Sequence, residues 1–186
     1  MKNFFDYNKE KFNLLLKNTN FNKELNYCVN IFKKYKKKNK IILVGNGGSA
    51  AIASHVAVDL NKNAKIKSLT FNEPSFITCL ANDYGHENWM KEALNIYCNK
   101  NDLVILISSS GNSKNILNAA KWCIKKKIKL LTFSGFKSNN SLIKSNYSGI
   151  NFWINSKSYN HVELMHLFLL LSIIDACIGR LYYRFS

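Results

Sequence analysis

Two polar segments of this sequence have the composition of anion-binding turns. Residues 45–50 read GNGGSA after the apolar run IILV, and residues 108–113 read SSSGNS after DLVILI. Glycines let backbone N–H groups approach an anion, and hydroxyls at the start of a helix add neutral donors for a phosphate. One serine is enough to cap a helix, so four serines in six residues favour a phosphate site at 108–113 over a plain N-cap.

The first of these turns also fits G-x-G-x-x-A, the relaxed dinucleotide fingerprint, which is a weak signal alone. A dinucleotide site would have an acidic residue about 20 residues further on, at the end of the next strand, to bind a ribose hydroxyl. The segment at that place, AKIKSLTF, contains lysines and no acid. The sequence therefore argues against a nicotinamide or flavin cofactor.

Both turns belong to a pattern in which apolar strands alternate with helices. We predict strands at IILVG, AKIKSLTF, DLVILISSS, IKLLTFSG and INFWIN, and an irregular stretch around Pro74 before a helix in GHENWMKEALNIYC. Strands that are apolar throughout and separated by helices favour a parallel sheet covered on both faces. The expected fold belongs to the α/β class: a three-layer α/β/α sandwich with about five parallel strands. Ligands are expected at the carboxyl ends of these strands.

The length of 186 residues predicts a single domain, made of an N-terminal helical segment (1–38) and an α/β core with its C-terminal helix (39–186). Apolar spacing from Phe4 to Tyr35 predicts one long helix or two, and the last helix is expected at about 160–182. Its apolar run is broken by His166 and Asp175, which indicates a buried helix rather than a membrane span. The N-terminus lacks the features of a signal peptide.

The chain is strongly basic, with 27 Lys and Arg against 11 Asp and Glu. Such a surplus suits nucleic acid or anionic metabolites alike. The lysines lie in short runs, such as 36–38 and 125–127, at predicted helix ends where they would be solvated, so charge alone does not predict a nucleic-acid partner. Five dispersed cysteines indicate reduced thiols in a cytoplasmic protein.

Three segments in order, GNGGSAAIASH, ANDYG and ISSSGNSKNILNAA, resemble the sugar isomerase (SIS) domain, and specifically its phosphoheptose isomerase branch. The resemblance spans about residues 40–175. It implies a flavodoxin-like fold and a homotetramer, with the terminal helices between subunits and active sites at the interfaces. It also implies conversion of the phosphorylated sugar sedoheptulose 7-phosphate to a heptose 7-phosphate for surface polysaccharide, without an organic cofactor.

The resemblance also implies roles for individual residues. Four serines would bind the sugar phosphate, namely Ser108, Ser109, Ser110 and Ser113. Six residues would contact the open-chain sugar: Asn46, Gly47, Gly48, Ser49, Asn82 and Asp83. For the last two, a simple turn before Tyr84 is the alternative.

Isomerisation through an enediol needs a base for a carbon-bound proton and an acid that moves protons between oxygens. The family has a glutamate after the glycine turn and a histidine on the last helix, but this chain has Asp59 and Leu171 at those positions. Alignment with the family pattern V-Q-E-x-H-L puts Glu163 in place of a substrate-binding glutamine. We predict Glu163 as the base, with His166 or His55 as the proton shuttle and Asp59 as the competing base. A surface role for Asp59 and a core role for His166 are the alternatives.

Some members of this branch bind zinc, and here His55, Asp59 and Glu163 could supply three ligands, although Leu171 removes the fourth. We expect no required metal. His161, at the start of the last helix, could reach the substrate. A second hypothesis is a catalytically silent SIS module that binds a sugar phosphate as a sensor. A third is an SIS reaction on another phosphosugar.

Overall fold

The computed structural model describes residues 3–35, 39–145 and 149–181. Over these ranges the chain forms eight helices and five strands. The helices are α1 Phe4–Asn18, α2 Asn22–Lys34, α3 Gly48–Lys62, α4 Pro74–Tyr84, α5 Trp89–Tyr97, α6 Lys114–Lys125, α7 Ser141–Lys144 and α8 Tyr159–Ile178. The strands are β1 Ile41–Gly45, β2 Ser68–Thr70, β3 Leu103–Ser108, β4 Lys129–Gly135 and β5 Ile150–Ile154.

The five strands form one parallel sheet in the order β2-β1-β3-β4-β5, which confirms the predicted sheet. After β1 the chain moves outward to β2 and then returns to the other side of β1 as β3. The register pairs Gly45 with Ile107, so the ends of β1 and β3 lie side by side. The two polar turns therefore follow neighbouring strands at the switch point, where parallel sheets bind ligands.

Both faces of the sheet are buried, because successive side chains of each strand point to opposite sides. Ile105 and its alternate neighbours pack under α2, α3 and α8, whereas Leu106 and its neighbours pack under α4, α5 and α6. These two apolar clusters complete the predicted three-layer sandwich. They also explain why the strands are apolar throughout rather than alternating.

The predicted irregular stretch around Pro74 is wrong, because these residues form helix α4. Proline fits the first turn of a helix, where its missing N–H is not needed. The carboxylate of Glu73 caps this helix by accepting hydrogen bonds from the backbone N–H groups of Ser75 (3.2 Å) and Phe76 (2.7 Å). An N-cap glutamate lies outside the usual capping residues, which is why the sequence did not reveal this start.

Other boundaries also differ from the prediction. Strand β2 is shorter than AKIKSLTF because Lys65 adopts a left-handed φ of 57°, and the strand begins only at Ser68. The N-terminal segment forms two helices, separated at Thr19 by extended backbone. Helix α8 ends at Ile178, where Gly179 supplies a left-handed cap, while the expected end at Tyr182 lies outside the described residues.

Helix α8 is long and apolar enough to cross a membrane by length and composition, with a mean hydropathy of 1.8 over its central window. Half of that window is buried inside the molecule, against strands β4 and β5 and helices α2 and α3. This burial agrees with the predicted core helix. The lysines at 125–127 are exposed at the end of α6, as expected, whereas 36–38 lie outside the described residues.

Candidate active site

A cavity of about 270 Å³ opens where β1 and β3 end. It brings together eight of the ten predicted substrate-binding residues and one predicted catalytic residue. Its lining consists of Asn46, Gly47, Gly48, Ser49, Ile107, Ser108, Ser109, Ser110, Ser113, Tyr159 and Glu163. Larger grooves of about 580 Å³ and 740 Å³ lie beside α1 and at the amino end of the sheet, but neither combines these polar groups.

The glycine turn, residues 45–48, depends on missing side chains. Gly47 has a φ of 52°, a conformation that glycine adopts without strain. A Cβ on Gly48 would overlap the carboxylate of Glu163, which lies directly against the start of α3. The first N–H groups of a helix have no partner within it, and they favour a nearby negative charge. The turn therefore places a carboxylate of α8 beside the positive end of α3.

The serine turn, residues 108–113, leaves hydroxyl groups available for a ligand. The Ser109 hydroxyl is buried and has no hydrogen-bond partner among the described residues. Ser113 occupies the N-cap position of α6, yet its side chain makes no cap hydrogen bond. A plain N-cap would show that bond, so the geometry favours the phosphate interpretation of this turn.

A pair of amides links the two turns. Asn46, at the glycine turn, and Asn115, in the first turn of α6, exchange two hydrogen bonds of 3.0 Å each. Asn115 is buried, and each amide both donates and accepts in this pair. The pair fixes the orientation of Asn46 at the cavity and joins the glycine turn to the start of α6, the helix that follows the serine turn.

The structure places His166 in the core and not at the cavity. Its Nε2 lies 3.1 Å from the backbone oxygen of Ser134, so this nitrogen carries the proton and donates. The ring packs edge-on against Phe133 at 5.6 Å. Burial lowers the pKa of His166 to about 4, which keeps the ring neutral at pH 7. This environment is that of the packed core histidine, the alternative to a proton shuttle.

His55 and Asp59 share one face of α3, as their spacing predicts, but neither lines the cavity. Their side chains approach to 3.7 Å, and His55 is largely exposed. Asp59 also accepts a 3.0 Å hydrogen bond from Asn63. Within the described ranges no three His, Cys, Asp or Glu side chains come close enough to hold a metal ion. The zinc set considered from the sequence, His55, Asp59 and Glu163, is therefore not brought together in the single chain.

Asn82 and Asp83 lie in the last turn of α4 rather than in a separate turn. Both are exposed, and the Asn82 amide donates a 2.9 Å hydrogen bond to the Asp83 carboxylate. Neither lines the cavity. Helix α4 holds both residues outside the cavity of the single chain.

Tyr159 lines the cavity and was missed in the sequence analysis. It lies one helical turn before Glu163 on α8, so the i,i+4 rule applied to the predicted base would have found it. Its ring packs edge-on against Phe136 at 4.7 Å. By contrast, His161 is turned away, 2.6 Å from the Asn8 side chain, and lines the separate groove beside α1.

A family model and individual relatives both agree with the resemblance to the SIS domain. Residues 17–135 match the model of the SIS domain family. A protein named phosphoheptose isomerase 2, from Campylobacter jejuni, is 38% identical over 121 residues, which cover 59% of this chain and 58% of that protein, less than two thirds of its length. A phosphoheptose isomerase from Helicobacter pylori is 33% identical over 149 residues, which cover 77% of this chain and 76% of that protein.

Solved structures show the same fold. A phosphoheptose isomerase from Francisella tularensis matches with a TM-score of 0.83 at 18% identity, over 96% of this chain and 100% of that one. The Vibrio vulnificus NanR protein complexed with ManNAc-6P matches with a TM-score of 0.59 at 16% identity, over 82% of this chain and 54% of that one. At these identities the matches establish the architecture.

Proposed function

Because the chain belongs to the SIS domain family and, within it, to the phosphoheptose isomerases, we propose that it interconverts sedoheptulose 7-phosphate and an aldoheptose 7-phosphate through an enediol. The observation that carries this proposal is the Glu163 carboxylate, which lines the same cavity as the serine turn. One cavity thus offers a phosphate site and a base.

In this proposal the serine turn binds the phosphate. The unpartnered hydroxyl of Ser109 and the uncapped Ser113 supply donors, and the start of α6 adds backbone N–H groups. These groups carry no full positive charge, so affinity comes from several oriented dipoles. The sugar chain then extends toward the glycine turn and Glu163.

Glu163 acts as the base. Its carboxylate takes a proton from C1 of the ketose, the C–H electron pair forms the C1–C2 double bond of the enediol, and the C2 carbonyl oxygen takes up a proton from solvent water. Return of a proton to C2, with loss of the proton on the C1 oxygen, gives the aldehyde at C1. The N–H groups at the start of α3 stabilise negative charge on the sugar oxygens.

The buried and neutral state of His166 leads us to assign it no proton transfer. Asp59 remains the competing base and His55 the competing shuttle, and each would have to be brought to the cavity to act. The proposal uses no organic cofactor and no step at a metal ion. Dialysis against a chelator should therefore leave kcat unchanged.

We propose a homotetramer in the cytoplasm that supplies heptose precursors for surface polysaccharide. Apolar side chains remain exposed on the terminal helices, including Phe4 and Leu14 of α1 and Leu164 and Phe168 of α8. Such side chains are suited to packing between subunits. Light scattering after size-exclusion chromatography should give four times the mass of the 21.4 kDa chain.

A sugar-phosphate sensor without catalysis is the second candidate. The placement of His166 favours it, because this chain then has neither the usual histidine at 171 nor a substitute at the cavity. A sensor would keep the serine turn and bind ligand without exchange at carbon.

Proton NMR in deuterated water tests these alternatives. With sedoheptulose 7-phosphate, the isomerase should form an aldoheptose and incorporate deuterium at carbon. Glu163→Gln should abolish this exchange, whereas Asp59→Asn should preserve it. Loss in Asp59→Asn alone would transfer the role of base to Asp59. No exchange in the unmodified protein, together with a rise in melting temperature on adding the sugar phosphate, would support the sensor.

A further inference from the structure

The serine turn is supported from outside the cavity by the short helix α7. The backbone N–H of Leu142 donates a 3.0 Å hydrogen bond to the carbonyl of Gly111. The side-chain oxygen of Asn112 accepts two more from Ser141, one from the backbone N–H (2.9 Å) and one from the hydroxyl (2.7 Å). Three hydrogen bonds thus attach residues 111 and 112 of the serine turn to helix α7.

The centre of this attachment is Asn140, which is only 2% exposed. Its amide nitrogen lies within hydrogen-bond distance of three acceptors at the end of β4, the Ser134 hydroxyl (3.2 Å) and the carbonyls of Gly135 (3.2 Å) and Lys137 (3.0 Å). Its oxygen accepts from the backbone N–H of Ile143 (3.2 Å) and caps α7. The Asn140 side chain is therefore hydrogen-bonded both to the segment at the end of β4 and to helix α7.

The same oxygen of Asn140 packs against Gly111 of the serine turn. A Cβ on Gly111 would overlap it, so the two groups are in close contact. Gly111 has a φ of 64°, and its N–H donates back to Ser108 (3.0 Å to the carbonyl). This left-handed residue reverses the chain between Ser110 and the start of α6. Its position determines where the serine hydroxyls on either side point.

We propose that Asn140 is a positioning residue for phosphate binding, fixing Gly111 and with it the orientation of the serine turn. The inference rests on the proposed role of that turn as the phosphate site. Asn140 itself does not line the cavity, and it acts through the turn. Because a ligand held by several dipoles requires all of them to converge, a small shift of the turn weakens every contact together.

An NMR titration with inorganic phosphate, combined with isomerase kinetics, tests this role. The variants are Asn140→Ala and Asn112→Ala. The second changes an exposed residue outside the cavity lining; it removes the acceptor for Ser141 together with the 3.0 Å hydrogen bond from the Asn112 amide to the Ser110 carbonyl, so it tests how the turn is held even where the buried variant fails to fold. We expect the Kd for phosphate to rise about tenfold in Asn140→Ala and roughly threefold in Asn112→Ala. KM should rise in parallel, with kcat nearly unchanged.

Asn61→Ala is the matched control. The Asn61 amide also connects a helix and a strand, with bonds to Ala57 and Ser68, but it lies at β2, away from the serine turn. It should lower the melting temperature without changing the Kd. An equal rise in the Kd for phosphate in this control would overturn the positioning role. An unchanged Kd in folded Asn140→Ala and in Asn112→Ala would also overturn it. If the unmodified protein binds no phosphate, the proposed phosphate site fails first and the positioning role fails with it.

Discussion

The glycine turn after β1 and the serine turn after β3 occupy equivalent places in the fold but are held in different ways. Both join the carboxyl end of a central strand to the start of a helix. The glycine turn has its shape because side chains are missing, which lets the Glu163 carboxylate lie against Gly48. The serine turn has its shape because hydrogen bonds from α7 reach its outer side. The first should therefore be sensitive to added atoms, and the second to removed hydrogen bonds as well as to an atom added at Gly111.

Among substitutions in the two turns and the amide pair that follows them, the largest effect is expected from Gly48→Ala. The added methyl group would overlap the carboxylate and displace Glu163 from the start of α3. A displacement of about 1 Å can reduce a rate by about 100-fold, and we expect a loss of that size in kcat/KM. Steady-state kinetics checks this, with Ala50→Gly as the control for changed helix propensity. Full activity in Gly48→Ala would show that the close approach is not needed.

Removal of one hydroxyl tests the serine turn. Ser109→Ala deletes a buried hydroxyl that has no partner in the described part of the chain, so the folded protein loses no hydrogen bond. We expect unchanged or higher stability and a KM raised on the order of tenfold, as for a hydrogen bond to a charged group. Paired melting and kinetic measurements check both. An unchanged KM would place the phosphate elsewhere.

A smaller effect is expected from the amide pair that joins the turns. Asn115→Ala removes both hydrogen bonds to Asn46 and leaves the cavity lining intact. We expect kcat/KM to fall roughly fivefold, as for the loss of one or two neutral hydrogen bonds. In the double variant with Ser109→Ala, the fold loss in kcat/KM should equal the product of the two single losses if the turns act independently. A larger loss would show that the amide pair couples the turns.

Because His166 stays neutral near pH 7, its protonation should not affect activity there. The stability of the protein should, however, decrease in acid because of His166. Histidine ordinarily takes up a proton near pH 6.5, whereas native His166 does so only near 4. Between these values the unfolded chain binds more protons, so stability should fall as pH decreases from about 6.5 to about 4. Melting curves across that range check this. His166→Gln should flatten the dependence, and the control His55→Gln should not.

The sequence predicted the parallel sheet and both turns because these depend on local composition and on the rule that ligands bind at the carboxyl ends of strands. It also predicted that His55 and Asp59 would share one face of a helix, since their spacing decides that. It left both a proton-shuttle role and a core role open for His166, because the packing of α8 against the sheet decides which of its residues are buried, and the structure buries His166. Asn140 also lacked a local signal, since its contact with Gly111 depends on how two distant loops pack.

The position of Glu163 on the last helix has a consequence for synthesis. All five strands and both turns precede α8 along the chain. A nascent polypeptide that has left the ribosome as far as β5 therefore carries the proposed phosphate turn before it carries the proposed base. In the proposed function, the residues that bind the phosphate are therefore synthesised before the residue that acts as the base.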